Sequence, residues 1–172
     1  SGNAIYPYYQ DGAVCFLRLA PTDEKIRENI EGELSFIRYL RENGYPAAEP
    51  IASRSGEYLL TMKTEWGEYF ATAFRGVGGI RIDRTDYSDE IMHSFGKSLG
   101  RLHALSSRYS PDKGKWSWED ALQWTEQVLV EYRAPEAARR DLDSLREALS
   151  ALPKNYTTYG LVHYDFEPDN VF

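Results

Sequence analysis

The chain has 172 residues, of which 42% are hydrophobic and 14% aromatic, enough apolar material for one domain or two small lobes and too much for a disordered segment. Its formal net charge of −7 argues against an electrostatic nucleic-acid binder, which needs a basic face to neutralise phosphates. Cys15 is alone, no apolar run reaches the length of a membrane span, and no basic segment followed by an apolar core marks a secretory signal, so the expectation is a cytoplasmic protein without a disulfide or a membrane partner.

The first elements read as a hairpin. Ala4-Ile5-Tyr6 and Tyr8-Tyr9 are strand-like, Asp11-Gly12 is a turn signal, and residues 13–19 form a second apolar strand. Pro7 has no N–H to give a ladder and predicts an edge or a bulge. Arg18 is a charge embedded in Cys15-Phe16-Leu17-Arg18-Leu19. It either faces water or has a carboxylate partner, since a buried guanidinium without one costs on the order of several kcal/mol. Pro21-Thr22-Asp23 predicts a helix start capped by Thr22 or Asp23. Ile26, Ile30, Leu34, Ile37 and Leu40 lie on one face of that helix, and Asn43-Gly44 ends it. Glu28, Glu31 and Glu33 on this helix are the carboxylates able to face Arg18.

A loop from Tyr45-Pro46 then enters a strand ending near Ile51. Ser55-Gly56 turns a hairpin into residues 57–62, and Trp66-Gly67 turns into a last strand over 69–74. Gly76, Gly78 and Gly79 crowd the next stretch and read as a joint between two lobes or as a plain glycine-rich loop. Beyond Tyr87 the pattern is helical. Ser88 or Asp89 caps a helix carrying Ile91, Phe95, Leu99, Leu102 and Leu105 on one face, with His103 beside it in a structural role. Residues 110–114 are a polar loop. Trp116, Trp118 and Trp124 read as anchors of a helix to the core, with a cage for a cationic substrate as the alternative. Helices are predicted over about 118–132 and 135–152, with Pro135 in the first turn of the second and Pro153 stopping it.

The last dozen residues carry the chemistry. Leu161-Val162 and Val171-Phe172 read as two short buried strands around a polar loop holding His163, Asp165 and Asn170. Phosphoryl transfer needs a group that accepts or orients the proton of an attacking hydroxyl, and an oxygen ligand for Mg²⁺ close by. A carboxylate and a carboxamide five positions apart on one loop supply both, with the spacing of a kinase catalytic loop. The bland reading is a surface loop in which Asp165 caps a turn and Asn170 bonds local backbone.

Written out, the loop is His163-Tyr164-Asp165-Phe166-Glu167-Pro168-Asp169-Asn170. It resembles the His-Gly-Asp-x-x-Pro-x-Asn loop of the aminoglycoside phosphotransferase and choline kinase superfamily, departing from it at Tyr164. The resemblance extends over nearly the whole chain. It implies an α+β, bilobal, protein-kinase-like fold with a nucleotide-binding sheet-plus-helix lobe over residues 1–76 and a helical lobe over 77–172. It implies ATP and Mg²⁺ as cofactors and a small-molecule hydroxyl as acceptor: an aminoglycoside, choline, homoserine, or another amino alcohol or sugar.

Carried over residue by residue, Asp165 orients the acceptor hydroxyl and takes its proton, Asn170 ligates the metal, and His163 braces the loop. Arg18 stands at the position of the phosphate-pairing basic residue, usually Lys, with Glu33 as its helix partner. Adenine meets backbone over Phe74, Arg75, Gly76 and Val77, and Gly2-Asn3 lies where kinases fold a glycine-rich loop. Nothing before residue 172 can be matched to the second metal-binding Asp of such enzymes. The chain is therefore expected to be part of a longer protein and not to turn over alone. Tyr164 and Arg18 also suit a second reading, a degenerate kinase-like module that binds a ligand or partner without chemistry.

Overall fold

The structure, a computed structural model, describes residues 2–111, 115–163 and 165–172. Two strands, β1 (Ala4–Gln10) and β2 (Ala13–Pro21), form the expected hairpin. Gly12 turns it at a φ of +76°, a left-handed conformation that glycine adopts without a Cβ penalty. Pro7 lies on β1, at the edge of the sheet, where no ladder needs its missing N–H.

Helix α1 (Arg27–Glu42) follows, then β3 (Glu49–Ile51), β4 (Leu60–Thr64) and β5 (Gly67–Arg75). The helix starts later than its sequence signal. Pro21 is still paired with Tyr69, and the Thr22 N–H goes to the Glu68 carbonyl at 3.1 Å. The sheet thus claims the residues that read as a helix cap, and Ile26 takes the N-cap position without a side-chain bond. Ser55-Gly56 does turn, with Gly56 N–H on the Ser53 carbonyl. The flanking strands do not pair as a hairpin: β3 and β4 each pair with β5, giving a five-stranded antiparallel sheet in the order β1-β2-β5-β3 with β4 also on β5.

Register decides what faces the helix. Phe16 lies opposite Phe74, Arg18 opposite Thr72 and Ala20 opposite Phe70, so alternation places these six on one face of the sheet. The core there consists of Ala20, Ile30, Leu34, Leu59 and Phe70, with Tyr58 and Phe74 packed against it.

A short 3₁₀ turn (Ile82–Arg84) leads to α2 (Asp89–Ser106), α3 (Trp118–Glu131) and α4 (Glu136–Ser150). The end of α2 and the residues after it hold α1 from outside the sheet. Tyr109 lies against Phe36 and Tyr39, with ring centroids 5.0 and 4.8 Å away. Its hydroxyl donates to Ser35 Oγ at 2.9 Å, and the Tyr39 hydroxyl donates to the Leu105 carbonyl at 3.1 Å. Arg101 reaches the Gly44 carbonyl at 2.9 Å. Helix α3 opens on a capping box between Ser117 and Asp120 and packs on α4, each burying one leucine, Leu122 and Leu142.

The tryptophans depart from the expected core anchors. Trp116 and Trp124 are 49% and 54% exposed and lean on each other at 6.3 Å. The spacing that brings them together serves the ring pair, not burial. Trp118 instead receives the Lys154 ammonium over its ring at 5.1 Å. His103 is exposed in the last turn of α2.

Leu34→Ala is expected to destabilise the fold by about 2–5 kcal/mol in urea unfolding, because Leu34 is enclosed between α1 and the sheet. Leu145→Ala on the exposed side of α4 should stay within about 0.5 kcal/mol of the parent.

Candidate functional site

Arg18 does not face water. It projects from β2 towards α1, where its Nη1 and Nη2 donate to the two carboxylate oxygens of Glu33 at 2.8 and 3.1 Å. Its Nε donates to Thr72 Oγ1 at 3.1 Å, and the guanidinium carbon lies 5.2 Å from the centre of the Phe74 ring. The planar fork of arginine matches a carboxylate in two bonds at once, and the side chains are 19% and 35% exposed. Of the three candidate carboxylates, Glu31 pairs with Arg27 at 3.2 Å and Glu28 is exposed; Glu33 is the one that meets Arg18.

Thr72 escaped the sequence reading. It is 3% exposed, and its hydroxyl gives the Nε proton an acceptor where a buried N–H would otherwise go unmatched. Only the pairing of β2 with β5 brings it opposite Arg18, and no local pattern encodes that pairing. Lys115 was missed as well. It lies half-buried beside the same pair and donates to the Asn29 carbonyl at 3.2 Å. The preceding residues 112–114, part of the predicted polar loop, lie outside the described residues.

The joint after β5 is tied at both ends. The Gly76 N–H donates to the Val14 carbonyl at 2.8 Å. A Cβ at Gly76 would sit 2.7 Å from that oxygen, so the close approach requires glycine. Farther along, the N–H groups of Ile82 and Asp83 donate to the carbonyls of Val171 and Pro168 at 2.9 and 3.1 Å. Gly79, at a φ of +117°, stands with its Cα beside Phe172. One segment therefore links the β1–β2 hairpin to the terminal loop.

On that loop Asp165 and Asn170 are brought together. Asn170 Nδ2 donates to Asp165 Oδ2 at 2.9 Å and to the Asp165 carbonyl at 3.1 Å. Both residues are exposed. Phe166 stacks on Phe95 of α2 at 4.9 Å, and the His163 ring meets Phe166 edge-on at 5.6 Å. The short buried strands expected around the loop are not present among the described residues, and Val162 and Phe172 are 66% and 54% exposed. A strand needs a ladder, and Val171 has a single backbone bond, to Ile82. Tyr164 lies outside the described residues.

Asn170 commits its nitrogen to Asp165, so its carboxamide oxygen could serve a divalent cation as one ligand atom. Among the described residues no cluster of three or more His, Cys, Asp or Glu could hold a metal by itself.

The model of the phosphotransferase enzyme family matches residues 9–172. Amicoumacin kinase of Bacillus subtilis (strain 168) is 25% identical over 175 residues, covering 98% of this chain and 51% of that protein. Homoserine kinase of Caulobacter sp. (strain K31) is 30% identical over 149 residues, covering 84% and 44%. The solved structure of amicoumacin kinase hAmiN in complex with AMP-PNP, Ca2+ and Ami superposes with a TM-score of 0.76 at 24% identity, over 96% of this chain and 51% of the other. A microcompartment-associated aminopropanol kinase superposes at 0.70 and 23%, over 99% and 56%. The shared fold is the α+β, kinase-like one that the sequence implied. The chain spans about half the length of the curated relatives it matches.

Arg18→Lys is expected to lower stability by about 1–3 kcal/mol in urea unfolding. An ammonium cannot reach Thr72 and both Glu33 oxygens in one plane. Thr72→Val in the Arg18→Lys background should then cost less than Thr72→Val alone, because their shared bond is already gone.

Proposed function

The chain belongs to the phosphotransferase enzyme family, and from that premise we propose that the whole protein transfers the ATP γ-phosphoryl group to a hydroxyl of a small molecule, such as an amino sugar or amino alcohol. The observation that carries this reading is the contact of Asp165 with Asn170 on an exposed loop docked to the joint after β5. A carboxylate acceptor and an amide oxygen stand side by side there, open to a substrate.

In this reading residues 1–76 form the nucleotide-binding lobe and 77–172 the start of the helical lobe. The sheet face that carries Arg18 would receive the adenine. Ile5 and Phe16, on that face by register, are 61% and 38% exposed and offer an apolar wall. The Gly76 N–H is held by Val14, so the base edge is read by its neighbours Arg75 and Val77, with Phe74 beneath Arg18. The N–H groups of Arg18 that Glu33 and Thr72 leave unused address the phosphates.

Asp165 aligns the acceptor hydroxyl with the γ-phosphorus and takes its proton, and His163 braces the loop through Phe166. Asn170 would hold Mg²⁺ through its carboxamide oxygen, and the ion would supply positive charge beside the transferred group. Positioning and charge neutralisation supply most of the acceleration in such a loose transition state. No helix among the described residues is long and apolar enough to cross a membrane. From the lone Cys15 and the net charge of −7 we place the protein in the cytoplasm, with no nucleic-acid partner.

The test uses the full-length protein, a panel of amino alcohols and amino sugars, and calorimetry with Mg·ATP. Asp165→Asn should lower turnover roughly a hundredfold to ten-thousandfold, the range for loss of a general base, while ATP affinity changes little. Asn170→Ala should weaken the metal-dependent part of ATP binding. Near wild-type turnover by Asp165→Asn on a true substrate would falsify the catalytic role of the loop. ATP binding by the parent with no turnover on any acceptor would favour the binding module.

A further inference from the structure

The Arg18–Glu33 pair opens onto a cleft of about 380 Å³ between the start of β1, the start of α1 and Lys115. Asn3, Arg18, Glu24, Lys25, Glu33 and Lys115 line it, so three cations face two carboxylates. Glu33 is already met by both terminal nitrogens of Arg18. Lys115 is half-buried and donates to a neutral carbonyl, that of Asn29. An ammonium has three donors and a guanidinium five. Among the described residues Lys115 therefore keeps two N–H groups for the cleft, and Arg18 keeps two beyond its bonds to Glu33 and Thr72.

Burial disfavours the charge on Lys115 and lowers its pKa; Glu33 pulls it back up and Arg18 pushes it down again. An anion between the two cations would offset that cost, because charge-assisted bonds gain strength where water is excluded. The shape agrees with the charge. Lys115 lines the same cleft as Arg18 of β2 and Asn3, which precedes β1.

We propose that this cleft receives the terminal phosphoryl group of the bound nucleotide, with Lys115 as a second cation beside Arg18. The proposal rests on the phosphotransferase reading. Arg18, fixed by Glu33 and Thr72, marks where the inner phosphates lie; Lys115, on a loop outside the sheet and able to move on its four-carbon stem, meets the outermost one.

Calorimetry on the full-length protein with ADP and with AMP-PNP, both with Mg²⁺, tests this. The parent should bind both. Lys115→Met keeps the apolar stem and removes the charge. It should weaken AMP-PNP roughly ten- to a hundredfold, the span of one lost charge-assisted bond, and leave ADP within about twofold. Lys115→Arg should restore most of the loss. Equal weakening of both nucleotides would mean that Lys115 acts through its grip on α1, and would overturn the proposal, as would unchanged binding of both. Should Lys115→Met fail to show the parent's thermal transition without nucleotide, Lys115→Gln carries the same comparison. A parent protein that binds neither nucleotide would overturn the phosphotransferase reading itself, an outcome distinct from failure at Lys115.

Discussion

The Arg18 guanidinium joins the central strands of the sheet to the helix. Arg18 leaves β2, meets Glu33 of α1 through two bonds and Thr72 of β5 through a third, so three elements converge on one planar group. An unpaired Arg18 in that position would carry the cost of a partly buried charge, which makes every arrangement of α1 that separates Glu33 from Arg18 expensive. The apolar contacts of Ile30 and Leu34 with Ala20 and Phe70 supply the bulk of the attraction. They are less directional, and the ion pair selects among the packings they allow.

The same helix is gripped from its other side. Tyr109 bonds Ser35 and packs on Phe36 and Tyr39, Tyr39 bonds the Leu105 carbonyl, and Lys115 bonds the Asn29 carbonyl one turn before Glu33. The position of Glu33 is thus set jointly by the sheet and by the segment that follows α2. A change in that segment reaches Arg18 through α1 without touching it, which gives the two halves of the proposed site a physical connection.

The terminal loop is built on another scale of stability. Asp165 and Asn170 are exposed and hold each other, and the loop is docked by two backbone bonds to residues 82 and 83 and by Phe166 on Phe95. Few apolar contacts and solvent-facing bonds are the marks of a segment that opens at low free energy. A substrate-facing loop needs that freedom, whereas the cation that holds inner phosphates gains from rigidity.

Much of this was legible in the amino-acid order. The hairpin of β1 and β2, the helical stretches of α1 to α4 and the Asp165–Asn170 spacing are local signals, each contained in a short run of residues. Local patterns also singled out Arg18, because a charge inside an apolar run asks for a partner. The tertiary structure decided the partner. It bore out Glu33, the partner that the family resemblance implied, over Glu28 and Glu31, and it added Thr72 through the register of β2 on β5. It sent β3 and β4 to β5 and not to each other, delayed α1 until Arg27 because the sheet kept Pro21 and Thr22, and left Trp116 and Trp124 leaning on each other in half-exposed positions. Dihedral preference and side-chain period act over one turn or one strand and are written in adjacent residues. Register, pairing and burial depend on residues tens of positions apart, and their free energy exists only once the chain has closed on itself.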